Sequence, residues 1–242
     1  MSNDTFASKG FLSSFVCQHK EKVRDEYSQA FMECERKSDN AHELLLKVSV
    51  SSVDIPMLCS YLFIERTIRS CQAAIRLCEF GLVQEAQVLV RTAFETLFHA
   101  AALVVEPSIF KRLESHEAGE DAKQAKAIKV TAPTGSLTEE QIGWLDEIVA
   151  SAEEHKHQQS AYESARIAGM LQIYATAYRG LSSLASHATF RSLDRAFTVE
   201  DGEYVLTMGP SETQLVFTLS LAARCFELSV DNLEKIQKSL RC

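Results

Sequence analysis

Glycine and proline are scarce in this chain, 9 and 4 among 242 residues. That leaves too few turn formers for a sandwich or barrel and favours long helices. An excess of positive charge is also absent: the formal net charge is −8, so the molecule as a whole repels polyanions, and a nucleic-acid partner would need a local basic patch. The one stripe of that kind, Lys123, Lys126 and Lys129, follows Glu114, Glu117, Glu120 and Asp121 and reads as a solvated mixed-charge face. No C-x-x-C pair occurs. The seven cysteines (Cys17, Cys34, Cys59, Cys71, Cys78, Cys225 and Cys242) are odd in number, scattered and mostly at apolar helical positions, the pattern of reduced thiols. The opening MSNDTFASKGFLSSF lacks the basic start and apolar stretch of a signal peptide. The most apolar segment, Thr96 to Val105, is about half the length of a membrane span and carries His99. The expectation is a cytoplasmic protein with no membrane contact.

The motifs of cofactor chemistry are missing too. There is no glycine-rich phosphate loop, no dinucleotide fingerprint and no G-x-S-x-G elbow. Glu153, Glu154, His155 and His157 invite a metal reading, but no H-E-x-x-H accompanies them and the stretch is strongly polar. The E-x-x-H spacing of di-iron bundles fails by one position, since Phe98 stands where the histidine should be and His99 follows. No metal and no cofactor are expected.

Helical periodicity is present throughout. Val23, Tyr27, Phe31, Leu44, Leu45 and Val48 fit one or two amphipathic helices between about Cys17 and Val50. Pro56 suits a first turn, Tyr61 to Cys78 an apolar helical face, and Gly81 its end. A helix from about 82 to 104 is apolar over most of its circumference, which places it at the centre of a bundle and suggests a homo-oligomer or a protein partner. The segment at about 108–158 is the most polar and reads as an excursion from the core. It contains the loop Thr131–Gly135 and a capping box at Ser136 and Glu139. A second long central helix is predicted from about Ser160 to Ala185, with His187 just beyond it. Asp201-Gly202 between β-prone stretches predicts a short β-hairpin near 197–208, and Ser211 with Gln214 a last capping box. The fold class is all-α: one helical domain over residues 1–242, a multi-helix bundle with that one hairpin.

Two constellations carry candidate chemistry. Gln87, Arg91, Glu95 and His99, each four apart, form a polar ladder on an otherwise apolar helix. It is either the wet strip of an amphipathic helix, with Arg91–Glu95 a surface ion pair, or the wall of a cleft in which that pair is held against its desolvation cost. Tyr174, Tyr178 and Ser182, followed by His187 and Arg191, form the second. Such groups could bind an anion or move a proton; alternatively the tyrosines are core residues with wet tips and His187 caps its helix.

The stretches Leu82-Val-Gln-Glu-Ala-Gln-Val-Leu-Val-Arg91-Thr-Ala-Phe-Glu95 and Tyr178-Arg-Gly-Leu-Ser182-Ser-Leu-Ala-Ser-His187 resemble the bacterial helical family known as domain of unknown function 5677, over roughly residues 55–105 and 165–240. The resemblance implies an α-helical fold in which Arg91, Glu95, Tyr178, Ser182 and His187 are the matching polar positions, and a place in a bacterial stress or phage-defence system; it supplies no activity. A weaker similarity is to HEPN-type bundles, some of them metal-independent ribonucleases, whose arginine precedes a histidine by four to six residues. Here Arg91 to His99 and Arg179 to His187 have seven residues between them and Arg112 to His116 three, so the mark is missing. The leading expectation is a non-enzymatic binding domain with a polar pocket for an anionic group, its ligand residues Arg91, Glu95, Tyr178, Ser182 and His187. The alternative is a HEPN-like ribonuclease, the one reading that involves nucleic acid, with His187 as acid/base and Arg91 on the phosphate.

Overall fold

A computed structural model describes residues 4–50, 53–153, 159–186, 190–193 and 197–239. A short turn of helix, α1 (Phe6–Lys9), leads into α2 (Phe15–Glu26) and α3 (Ser28–Lys47), so the amphipathic region after Cys17 is two helices broken at Tyr27. Helix α4 (Ile55–Glu79) opens on Asp54, whose carboxylate accepts from the Met57 N–H at 3.1 Å, with Pro56 in the first turn where a missing N–H costs nothing. It closes on Gly81, whose φ of 72° lets the Gly81 and Leu82 N–H groups reach the Cys78 and Leu77 carbonyls. A Cβ there would come within 2.5 Å of the Pro210 side chain, so glycine is required twice over.

Helix α5 (Val83–Val105) follows and is the axis of the bundle. By length and composition it could cross a membrane, but here its apolar circumference is covered by α4, by α8 (Ala161–Ile167) and by the last helix, α12 (Leu215–Ser239). Phe94, Leu97, Phe98, Ile64, Ile68, Phe226 and Leu233 fill the space between them. That coverage comes from within the chain, so the apolar width of α5 does not itself call for a partner. Helix α3 lies on the outer side of α12, with Phe31 and Cys34 inward.

The polar segment forms two helices, α6 (Phe110–Thr131) and α7 (Glu139–Glu153), packed on each other. The box that opens α7 is Thr138 with Gln141, not Ser136 with Glu139: the Gln141 N–H donates to Thr138 Oγ1 and the Thr138 N–H to Gln141 Oε1. The same S/T-x-x-E/Q spacing occurs twice within six residues, and the later one wins.

The second central helix is not continuous. After α8, Gly169 turns left-handed (φ 70°) and the chain restarts as α9 (Leu171–Ile173), a π-helical stretch Tyr174–Tyr178, α10 (Arg179–Leu181) and a second π-helical stretch Ser182–Ser186. The short α11 (Phe190–Leu193) precedes the hairpin, in which β1 (Phe197–Glu200) pairs antiparallel with β2 (Glu203–Leu206). Asp201 and Gly202 both have positive φ, as the predicted tight turn requires. The Ser211–Gln214 box does not form; Gln214 takes φ 62° and its side-chain oxygen is used by Gln87.

Candidate functional site

The ladder on α5 is real as a row, but each rung meets a different neighbour. Gln87 is fully buried and donates through Nε2 to Gln214 Oε1 (3.1 Å) and Thr218 Oγ1 (3.0 Å) at the start of α12, while its own Oε1 has no partner among the described residues. At the other end, His99 Nδ1 lies 2.8 Å from Ser164 Oγ on α8, which also receives Gln159 Nε2 at 3.0 Å. Burial pushes the His99 pKa below the usual imidazole value, so the ring is neutral at physiological pH and accepts or donates within that network without charge. These two rungs, Gln87 buried and His99 partly so, are structural contacts between segments of the bundle.

Arg91 and Glu95 sit between them and face the run 171–186. The Arg91 Nε donates to Ser182 Oγ at 2.9 Å, Nη2 to the Tyr178 hydroxyl at 2.6 Å, and Nη1 to Glu95 Oε2 at 3.0 Å. Its guanidinium carbon lies 4.5 Å from the centre of the Tyr178 ring, which in turn stacks on Tyr174 and meets the edge of Phe98. Ser182 Oγ donates to the Tyr178 carbonyl one turn back, so its lone pair is turned to Arg91. The two predicted constellations therefore share one centre: Arg91, Glu95, Tyr178 and Ser182 are in direct contact. His187 lies outside the described residues, and Arg191 falls in α11.

The Tyr178 pKa is pushed up to about 12, first by burial and then by the neighbouring Glu95 carboxylate, with Arg91 opposing. The phenol stays protonated well above neutral pH. Arg91 is 21% exposed and Glu95 36%, so neither reading of the ladder holds in full: the pair is half-buried, with the carboxylate on the wetter side.

Beyond the bonds to Ser182, Tyr178 and Glu95, each terminal guanidinium nitrogen retains one N–H without a partner among the described residues. The centre thus offers a fixed cation and a protonated phenol, while the Ser182 hydroxyl is occupied in holding the guanidinium. A cleft of about 300 Å³ bounded by Gly81–Glu85, Ser192 and Leu193, and one of about 610 Å³ between α3 and α4, are lined among the described residues by none of Arg91, Glu95, Tyr178 and Ser182.

Two features escaped the sequence reading. The π-helical stretches carry both Tyr178 and Ser182; such stretches are rare and concentrate at functional sites, yet nothing in a helical period distinguishes them. The second is Glu79, 1% exposed, held by Lys20 (2.9 Å), Arg76 (3.0 Å) and Arg24 (3.5 Å). Its position four residues after Ile75, on the inward face of α4, was the available signal. No grouping that could hold a metal ion exists among the described residues, and Glu154, His155 and His157 lie outside them.

A family described as one of unknown function (DUF5677) matches residues 58–204, a span that includes α5 and the run 171–186. No curated protein and no solved structure matches the chain.

Proposed function

The chain belongs to this family of unknown function, and from that premise we propose that it is a non-enzymatic binding domain in which Arg91 recognises an anionic group, a carboxylate or a phosphate, on its partner molecule. The observation that carries the reading is the order of exposure at the centre. The cation is the inner member, fixed by Ser182 and Tyr178, and its counter-ion Glu95 is the outer, wetter one. A ligand anion that takes Glu95's place gains a pre-oriented guanidinium, and Glu95 returns to water at little cost. Tyr178, protonated at neutral pH, serves such an anion as a hydrogen-bond donor and is no general base. The chemistry of the described centre is recognition rather than proton transfer.

Inorganic phosphate is the simplest probe. Thermal melts in rising phosphate at constant ionic strength should raise the melting temperature of the wild type, raise that of Glu95→Gln further, and leave Arg91→Ala unmoved. Equal shifts in all three would end the proposal. In parallel, a labelled mixed RNA pool without added metal, wild type beside His187→Ala, should remain intact with both; cleavage lost in the variant would replace this reading with the metal-independent ribonuclease.

A further inference from the structure

The α6–α7 pair stands apart from the bundle in a way that goes beyond the Arg91 centre. Its root is anchored: Ile109 joins Ala102 and Leu103 in a small apolar cluster beneath Phe110 and Leu113. From there outward, α7 makes its packing contacts with α6, through a thin layer of Ala122, Ala125 and Leu145. Two helices cannot bury both of their apolar flanks on each other. Ile128 (38%), Val130 (84%), Ile142 (38%) and Trp144 (62%), the chain's one tryptophan, remain exposed along this arm. A shallow groove of about 190 Å³ between the helices is lined by Gly119, Ala122, Lys123, Lys126, Val149 and Ala152.

The first half of α6 is mixed in charge, with Glu114, Glu117, Glu120 and Asp121 beside Lys111 and Arg112, but on the outer part of the arm charge is sorted by helix. Helix α7 carries five acidic residues and no basic one, while α6 from Ala122 onward carries Lys123, Lys126 and Lys129 and no acid. Within the arm Lys129 pairs with Asp146 and Lys123 with Glu120, and Lys126, Glu139, Glu140 and Glu147 stay exposed. A partner of either single sign would be repelled by one of the two helices. A surface with the same split satisfies both, and a second copy of the chain provides it, because a two-fold axis can set the α6 of one arm against the α7 of the other.

We propose that the arm is a homodimerisation surface, two copies joining their α6–α7 pairs into a four-helix bundle with Trp144 at the seam. Sedimentation of the full chain should show a reversible dimer that weakens with salt, and Trp144 emission should shift to the blue as concentration rises. The double variants Lys123→Glu/Lys126→Glu and Glu139→Lys/Glu140→Lys should each be monomeric with unchanged far-ultraviolet circular dichroism, and an equimolar mixture of the two should restore the dimer. Trp144→Ser, at a position 62% exposed, should weaken dimerisation without reversing any charge and with unchanged far-ultraviolet circular dichroism. A wild type that is monomeric throughout overturns the proposal. So does a dimer that all three variants retain, or a mixture of two folded monomeric variants that does not associate.

Discussion

Two clusters of opposite charge lie on neighbouring helices, and they are built inside out relative to each other. At the end of α4 the innermost group is an anion: Glu79 is 1% exposed, and Lys20, Arg24 and Arg76 reach it from the wetter side. At the middle of α5 the inner group is the cation, Arg91, and the anion Glu95 is outside. Arg24 extends the first cluster through a two-pronged contact with Glu35 (2.6 and 3.2 Å), tying α2 to α3 as well as to α4. What is buried is what cannot be exchanged. No ligand anion can replace Glu79, whereas the outer partner of Arg91 is a side chain that water already half-surrounds. One cluster holds helices together; the other has the construction of a recognition point.

The largest effect expected from this contrast is at Glu79. Glu79→Ala removes the buried anion on which three cations from α2 and α4 converge; Lys20, Arg24 and Arg76 can partly rehydrate, so the loss in urea unfolding should be about 2–3 kcal/mol, toward the lower side of what breaking a buried ion pair costs. A loss under about 1 kcal/mol would put the cluster among ordinary surface pairs and dissolve the comparison. Arg91→Ala should cost less, about 1–2 kcal/mol, because Glu95 rehydrates and the Tyr178 and Ser182 hydroxyls lose an exchangeable partner. If the two substitutions cost the same, Arg91 is as structural as Glu79 and its proposed role in recognition loses its basis.

How far this could be read in the sequence follows from what a helical period contains. The central position of α5 followed from apolar residues around its whole circumference, and the hairpin from Asp201-Gly202, because both are local patterns of one chain segment. The meeting of Arg91 and Glu95 with Tyr178 and Ser182 is a contact across 87 and 91 residues, and no spacing encodes it; the family resemblance grouped these residues as matching polar positions without fixing that they touch. The break at Gly169 was missed because Ile167, Met170 and Leu171 continue a plausible helical face through a residue whose φ is set by the turn's own hydrogen bonds, Gly169 N–H to Arg166 and Met170 N–H to Ala165. The two capping boxes failed for a different reason. The motif is four residues long, and at Gln214 a side chain recruited by Gln87 of α5 outweighed its local use.

The smallest effect is also the most specific to the Arg91 centre. Tyr178→Phe removes the acceptor of Arg91 Nη2 and should cost about 1 kcal/mol near neutral pH. The pH dependence of that difference carries the information. The Tyr178 pKa is raised, from an ordinary 10.0 to about 12, so the folded state resists ionising the phenol. A raised acid contributes stability that is fully present below the unfolded value and is lost as pH climbs through the folded one. The wild type should therefore lose up to about 2 kcal/mol between pH 10 and 12 that the phenylalanine variant does not lose. The buried thiols of Cys34 and Cys78, also pushed up to about 12, titrate in both proteins and cancel in the difference. Unfolding curves of the two proteins across that range should therefore converge, or cross, as pH rises. Parallel curves would mean that the phenol ionises as freely folded as unfolded, and that the centre is wetter than the contacts of Tyr178 with Phe98, Tyr174 and Arg91 imply.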